Sequence, residues 1–378
     1  MKVYLVGGAV RDQLLKIPYR ERDWVVVGAT PEAMLAQGYR PADRDFPVFL
    51  HPQNGEEYAL ARTEVKAAPG YKGFELSYGP EVTLEQDLLR RDLTINALAM
   101  DETGQLIDVC GGEQDLQAGR LRHITPAFSE DPLRLLRIAR FAAKLGCWGF
   151  RVAHETHRLM KQMATIEELS TLSTERILKE LSRAMAEPQP WRFFEVLLGC
   201  GALSKLLPEV ADVMAGQSGH GRTTDGPMVT ALKRLVPISD EPQIRSAVAL
   251  FYSAQAQPDL AAWLAMRRID KRTGELISDL LQLSSVQTAE ANHERLFDLV
   301  SKLKPRQQPQ RFEAFMLAAE ALWPEPMDSL KPRLSRARQA LLASLPEQLT
   351  ASGVRGKALG DAIRSWRLEY FQQLTADD

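Results

Sequence analysis

The chain has 378 residues, 25% of them charged and 45% hydrophobic, with a formal net charge of −2. That length suits two or more domains, and the near-neutral balance excludes a general polycation, so any contact with nucleic acid has to come from local basic patches. No apolar run approaches a transmembrane length, the N-terminus enters a strand rather than a signal peptide, and Cys110, Cys147 and Cys200 lack metal spacing, which sets the expectation of a reduced, cytoplasmic, non-membrane protein.

The apolar run Val3 to Val6 reads as a buried strand ending at Gly7-Gly8, and Val10 to Leu15 reads as a short helix. Free amide groups where a strand turns into a helix suit a phosphate, and Arg11 adds a fixed positive charge. Glu21 and Asp23 then stand two apart at the start of a second strand, where period-2 geometry puts both carboxylates on one face. Two such carboxylates repel unless a cation lies between them, and Mg²⁺ is the usual cation beside phosphates. A plain turn and a solvated strand edge are the alternatives for each motif alone; their order and short spacing favour a phosphate cradle facing a metal site.

Thr30-Pro31-Glu32 starts a helix that ends near Gly38. Phe46 to His51 and Glu57 to Arg62 read as two strands joined through Asn54-Gly55, and Glu64 to Pro80 reads as a mobile loop. Thr83 to Gln86 is a capping box leading into Arg90-Arg91-Asp92-Leu93-Thr94-Ile95-Asn96-Ala97. Adjacent arginines followed by Asp and Asn suit triphosphate oxygens and ribose hydroxyls; a charged helix end running into a strand is the plain alternative. Asp108 precedes the pair Gly111-Gly112 after a hairpin turned at Glu102 to Gly104.

From Leu121 onward helical periodicity dominates. In Glu130-Asp131-Pro132-Leu133-Arg134 to Ala142, the residues Leu135, Ile138, Ala139 and Ala142 share a core face. Arg134, Arg137 and Arg140 fan over roughly 120° of the opposite face without an interleaved acid. A solvated basic face and an N-cap role for Asp131 stand against a base-reading role. His154 and His157 read as surface histidines. Gly216 to Gly226 reads as a linker, and helices of Ala, Leu, Arg and Gln run from there to the end. Lys302 to Arg306 and Lys331 to Arg338 are basic clusters able to meet phosphate or simply to face solvent.

Gly-Gly-x-Val-Arg-Asp with a following acid-x-Asp resembles the nucleotidyltransferase signature of the DNA polymerase β superfamily. More closely, the chain resembles class II tRNA nucleotidyltransferases, the CCA-adding enzymes, and the related bacterial poly(A) polymerases. Arg-Arg-Asp-x-Thr-x-Asn-Ala matches their second motif, Asp108 with its glycine pair the third, and Glu-Asp-x-x-Arg the amino-acid template for the incoming base. The family has Asp at both metal positions; Glu21 departs at the first.

The resemblance implies an α+β chain. Its polymerase β-like head, a mixed sheet with helices, would span residues 1–120, a helical neck with the base-reading helix residues 121–210, and a helical body and tail binding tRNA residues 211–378. It implies Glu21 and Asp23 as catalytic Mg²⁺ ligands, with Glu57 a candidate third carboxylate. Gly8, Arg11 and Arg91 would bind triphosphate, Asp92 and Asn96 ribose, and Asp131 and Arg134 the base, with Arg137 and Arg140 beside them. Asp108 is read as mainly structural, and Glu64 to Pro80 as the loop that helps the site change from CTP to ATP. The implied activity is template-independent addition and repair of the 3′-terminal CCA of tRNA from CTP and ATP by a monomer. Poly(A) polymerase or partial CC- or A-addition is the alternative. Some relatives carry a His-Asp phosphohydrolase site in the second half; His220 and His293 alone are too few for one.

Overall fold

The computed structural model describes residues 1–19, 21–42, 46–67, 74–165, 167–216, 226–287, 292–346 and 355–376. The linker at Gly216 to Gly226, including His220, lies almost wholly outside them. Two units divide the chain, Met1–Glu180 with Arg192–Leu206, and Leu181–Trp191 with Leu207–Asp378.

The first unit is built on β1 (Lys2–Val6), which turns at Gly7 into α1 (Gly8–Leu14) and pairs antiparallel with β2 (Asp23–Val27). After α2 (Pro31–Ala36), capped by the Thr30 side chain, come β3 (Arg40–Pro41), β4 (Val48–Leu50) and β5 (Glu57–Leu60). Strand β5 runs parallel to β2, and the Asn54-Gly55 turn joins it antiparallel to β4. Alternation in β2 sends Val25 into one core with Val6, Leu88 and Ala99, and Val26 into another with Met34, Phe49 and Leu60. The sheet is thus buried on both faces, as an open mixed sheet requires.

Glu64 to Pro80 is not a plain loop. β6 (Arg62–Lys66) and β7 (Phe74–Tyr78) form an antiparallel hairpin of their own, with residues 68–73 between them outside the description. The cause is anchoring of its base: Arg90 donates to the Arg62 carbonyl and pairs with Glu64 at 2.7 Å. The capping box at Thr83 opens α3 (Leu84–Leu89). A single 3₁₀ turn (Thr94–Asn96) then leads to β8 (Leu98–Met100) and β9 (Leu106–Asp108), which extend the sheet beside β1. Asp108 accepts from the amides of Cys110, Gly112 and Glu113 and so fixes the start of α4 (Gly112–Gln117). A Cβ on Gly112 would meet the Thr94 carbonyl oxygen at 2.3 Å, so only glycine allows this approach. Helix α5 (Leu133–Leu145) follows, then α6 (His154–Met163), α7 (Thr174–Met185) and α8 (Trp191–Gly199). A two-residue parallel ladder, Arg120–Leu121 with Arg151–Val152, brackets α5 and was too short to leave a strand pattern.

The second unit is helical throughout its described residues, with Phe251, Phe297, Phe315 and Phe371 fully buried. Buried Arg245 serves as an internal brace, donating to the carbonyls of Met185, Glu187, Val236 and Ser239. No helix among the described residues is long and apolar enough to cross a membrane.

Candidate functional site

The sheet brings the first motifs to one end. Val6 is the register partner of Asp23, which in turn is the partner of Glu57 on β5. Asp23 therefore stands beside the strand that enters the glycine turn, with Glu57 next to it on the same face. Gly7 takes φ +69°, and a Cβ there would meet Arg91 Nη1 at 2.9 Å. The Arg91 guanidinium lies directly on the turn, held from behind by the fully buried Asp87 at 3.0 Å. As first-turn amides of α1, Gly8, Ala9 and Val10 have no intrahelical acceptor and remain available to an anion.

Asp23 keeps an exposed side, yet partial loss of solvation pushes its carboxyl above its usual range; Arg91 opposes this and the charge of Glu21 adds to it. Among the described residues, no ion pair or hydrogen bond engages the side chains of Glu21, Asp23 or Glu57, and no group of three ligating side chains converges. Asp23 pushed up in part by the charge of Glu21, at the edge of a phosphate-type turn, fits a site for a hard divalent cation. Mg²⁺ takes one or two protein carboxylates and fills its shell with phosphate oxygens and water.

Behind the turn the polar residues form one chain of hydrogen bonds. Arg11, 2% exposed, donates to Asp12 and to Asn96; Asn96 donates to Asp92 at 2.9 Å; Asp92 accepts from Arg137 at 2.7 Å. Burial alone would raise the Asp92 carboxyl. The Arg137 guanidinium, the Asn96 amide and nearby Arg134 outweigh it and hold Asp92 well below the ordinary carboxylate range. Lys144 closes the other end on Asp12 at 2.8 Å.

The arginine fan of α5 is not a solvated face. Arg134 donates to the Arg90 carbonyl, Arg137 pairs with Asp92, and Arg140 pairs with the buried Glu180 of α7 at 2.7 Å. Asp131 accepts from the Leu133 amide and lies 3.8 Å from Arg176. It thus tethers the first turn of α5 while one carboxylate oxygen is left for another partner. From the hairpin, Lys66 donates to the carbonyl of Glu130, the residue before it.

Sequence reasoning missed Asp12, Asp87, Phe141, Lys144, Arg176 and Glu180. Asp87 carried a signal, since Arg90 and Arg91 follow at i+3 and i+4 on its helix turn. Arg176 and Glu180, also four apart, carried a weaker one. The partners of Asp12 and Asp92 are far away in sequence and left none.

A glycine turn, exposed carboxylates and a paired arginine layer lie together at the end of this mixed sheet, the arrangement of a nucleotidyltransferase. The family model described as "Poly A polymerase head domain" matches residues 3–122, and "Probable RNA and SrmB- binding site of polymerase A" matches residues 149–214. A "CCA-adding enzyme" of Pseudomonas putida is 44% identical, with 98% of each chain covered. A "Multifunctional CCA protein" of Thioalkalivibrio sulfidiphilus is 41% identical over 100% of this chain and 99% of its own. In the solved structures, the Thermotoga maritima CCA-adding enzyme complexed with tRNA shares the fold at a TM-score of 0.68 and 22% identity, covering 100% of this chain and 91% of that one. The chain belongs to the tRNA nucleotidyltransferase family, on its CCA-adding branch.

Proposed function

We infer that the protein adds the 3′-terminal CCA sequence to tRNA, and restores damaged ends, from CTP and ATP without a nucleic-acid template. The observation that carries this is the full-length match to a CCA-adding enzyme at 44% identity. The tRNA 3′-hydroxyl attacks the α-phosphate and pyrophosphate leaves. Residues 1–120 are the catalytic head, 121–210 the neck that reads the base, and 211–378 the body and tail that hold tRNA.

Glu21 and Asp23 are the catalytic carboxylates and hold Mg²⁺. When bound, the ion neutralises triphosphate charge and makes the attacking hydroxyl more acidic. The Gly8 amide and the Arg91 fork receive the triphosphate at the open side of the turn, and Arg11 supports it from behind. Asp92 and Asn96 are assigned to the ribose; both are buried and bonded to each other, to Arg137 and to Arg11, so a ribose hydroxyl would share an Asp92 oxygen that already accepts from Arg137. Asp131 accepts from the amino group that cytosine and adenine share, and Arg134 donates to the adjacent ring nitrogen. Arg137 and Arg140 stand beside them, each held in place by a buried acid, Asp92 and Glu180. The prior pairing of these groups supports this reading, because preorganised donors cost no rearrangement when charge develops.

In the second unit, Lys304 is exposed and suits RNA phosphate, whereas Lys302 donates to Gln282, Lys331 is engaged by Glu320 and Arg306 donates to the Leu342 carbonyl. We also propose a cytoplasmic monomer whose second half carries no His-Asp phosphohydrolase activity; metal-dependent phosphate release lost on truncation after Gly216 would refute the latter. The deciding experiment incubates tRNA transcripts ending before C, CC or CCA with CTP, ATP or both. Growth to CCA and then a halt supports the reading. Long A tails make the protein a poly(A) polymerase, and a stop at CC or a single A makes it a partial-adding enzyme.

A further inference from the structure

One side chain of α5 has no part in the reaction described so far, yet three arginines gather on it. Phe141 is 6% exposed, and the guanidinium carbons of Arg140, Arg11 and Arg137 lie 4.7, 5.2 and 5.8 Å from its ring centroid. Arg11 comes from α1 behind the glycine turn, whereas Arg137 and Arg140 belong to the base-reading helix. Each is also held by its own acid: Asp12 for Arg11, Asp92 for Arg137 and Glu180 for Arg140. Phe141 lies four residues after Arg137 and three before Lys144, and Lys144 grips Asp12. These positions form one stripe that faces α1.

We propose that Phe141 is a positioning residue that couples the phosphate side of the nucleotide site to its base side, a role that rests on the nucleotidyltransferase reading above. Three like charges around an aliphatic side chain would repel across a medium that screens them poorly. An aromatic face attracts each of them through its quadrupole. The ring thus lets Arg11 sit within reach of Arg137 and Arg140, so that a shift of Arg11 when phosphate arrives is felt at the base-reading helix. Leucine would fill most of the volume but offer no such face.

The test compares F141L and F141Y in the full chain, with tRNA lacking CCA or its final A, measuring KM and kcat for CTP and ATP beside the melting temperature. KM does not depend on the folded fraction, so a stability loss alone leaves it unchanged. The expected result is a KM raised roughly fivefold to thirtyfold in F141L for both nucleotides, and within about twofold of the parent in F141Y. R140K is expected to raise KM less in the F141L background than alone, because the two act through one cluster. Parental KM values in F141L, equal losses in F141L and F141Y, or strict additivity with R140K would overturn the proposal. Failure of the underlying reading looks different, since the unmodified protein would itself leave tRNA unextended.

Discussion

The two sides of the proposed nucleotide site are built on opposite terms. On the carboxylate side, Glu21, Asp23 and Glu57 are exposed, and among the described residues their side chains have no ion-pair partner; Asp23 is pushed toward protonation. On the arginine side, every guanidinium of the α5 fan is already bonded to protein, and Asp92 is pushed the other way. On the proposed reading, the first side is completed only by a cation and a triphosphate. The second is already bonded within the fold, so on the same reading its geometry needs no further ordering when a base binds. Substitutions on the first side should therefore remove chemistry and spare stability, while those on the second should damage both.

Asp23 gives the largest contrast. Asp23→Ala should lower incorporation of both nucleotides about a thousandfold or more, the several kcal/mol expected for losing a metal-holding carboxylate. Asp23→Asn should be equally inactive yet melt slightly higher at neutral pH. The sign follows from the raised carboxyl: its ionisation costs stability above the folded pKa, and the cost disappears as pH falls through it. The gap between Asp23→Asn and the parent should therefore close in acid. Mg²⁺ with nucleotide should raise the melting temperature of the parent and not of the variant. Undiminished turnover in Asp23→Ala would sink the carboxylate assignment.

Asp92→Asn tests the finished side. It strips Arg137 of its buried anion, which typically costs about 3 kcal/mol, and loosens the Asn96 end of the chain. Both a lower melting temperature and a higher KM for CTP and ATP are expected. Because the Asp92 carboxyl is held low, its contribution is fully present above the ordinary carboxylate range and fades only as pH drops through the folded pKa. The difference in melting temperature between parent and variant should be flat from about pH 8 to pH 5 and shrink below about pH 4. A normal melting temperature with a raised KM would mean that the pairing is not structural.

What the sequence disclosed follows the same division. The glycine turn, the Thr83 capping box and the Asn54-Gly55 hairpin are local devices, and each appears at its expected place. Asp108 could be recognised as structural because its acceptor role is spent within five residues. The arginine fan was visible as a pattern, but Arg137 finds Asp92 across 45 residues and Arg140 finds Glu180 across 40, which no periodicity encodes. The β6–β7 hairpin was hidden because Pro69, Gly70 and Gly73 outweighed the short alternating runs on either side. The anchor that makes those runs strands, Arg90, comes from α3's C-terminal end.

Asp131→Ala probes the boundary between the two sides. The residue tethers the Leu133 amide and is assigned to the base, so a moderate stability loss of about 1 kcal/mol should accompany relaxed selection. A carbonyl of uracil or guanine would no longer face a carboxylate, and discrimination against UTP and GTP should fall roughly tenfold to a hundredfold. Measuring kcat/KM for all four nucleotides beside the melting temperature separates the roles. Unchanged nucleotide ratios with a lowered melting point would leave Asp131 as a helix tether only.

Glu21→Asp should have the smallest effect. Glu21 precedes β2, is exposed, and its side chain forms no ion pair among the described residues, so shortening it disturbs no packing. The change withdraws the carboxylate by about one methylene, a gap that water in the shell of a hard cation can fill. We expect kcat within about threefold of the parent, with the Mg²⁺ concentration for half-maximal activity shifted more than kcat, because direct ligation affects occupancy before chemistry. A titration of activity against Mg²⁺ for parent and variant measures both quantities. If Glu21→Asp instead falls as far as Asp23→Ala, the surroundings of position 21 have moved outward to match the longer side chain. The carboxylate side would then be as strictly built as the arginine side, and the contrast between them would fail.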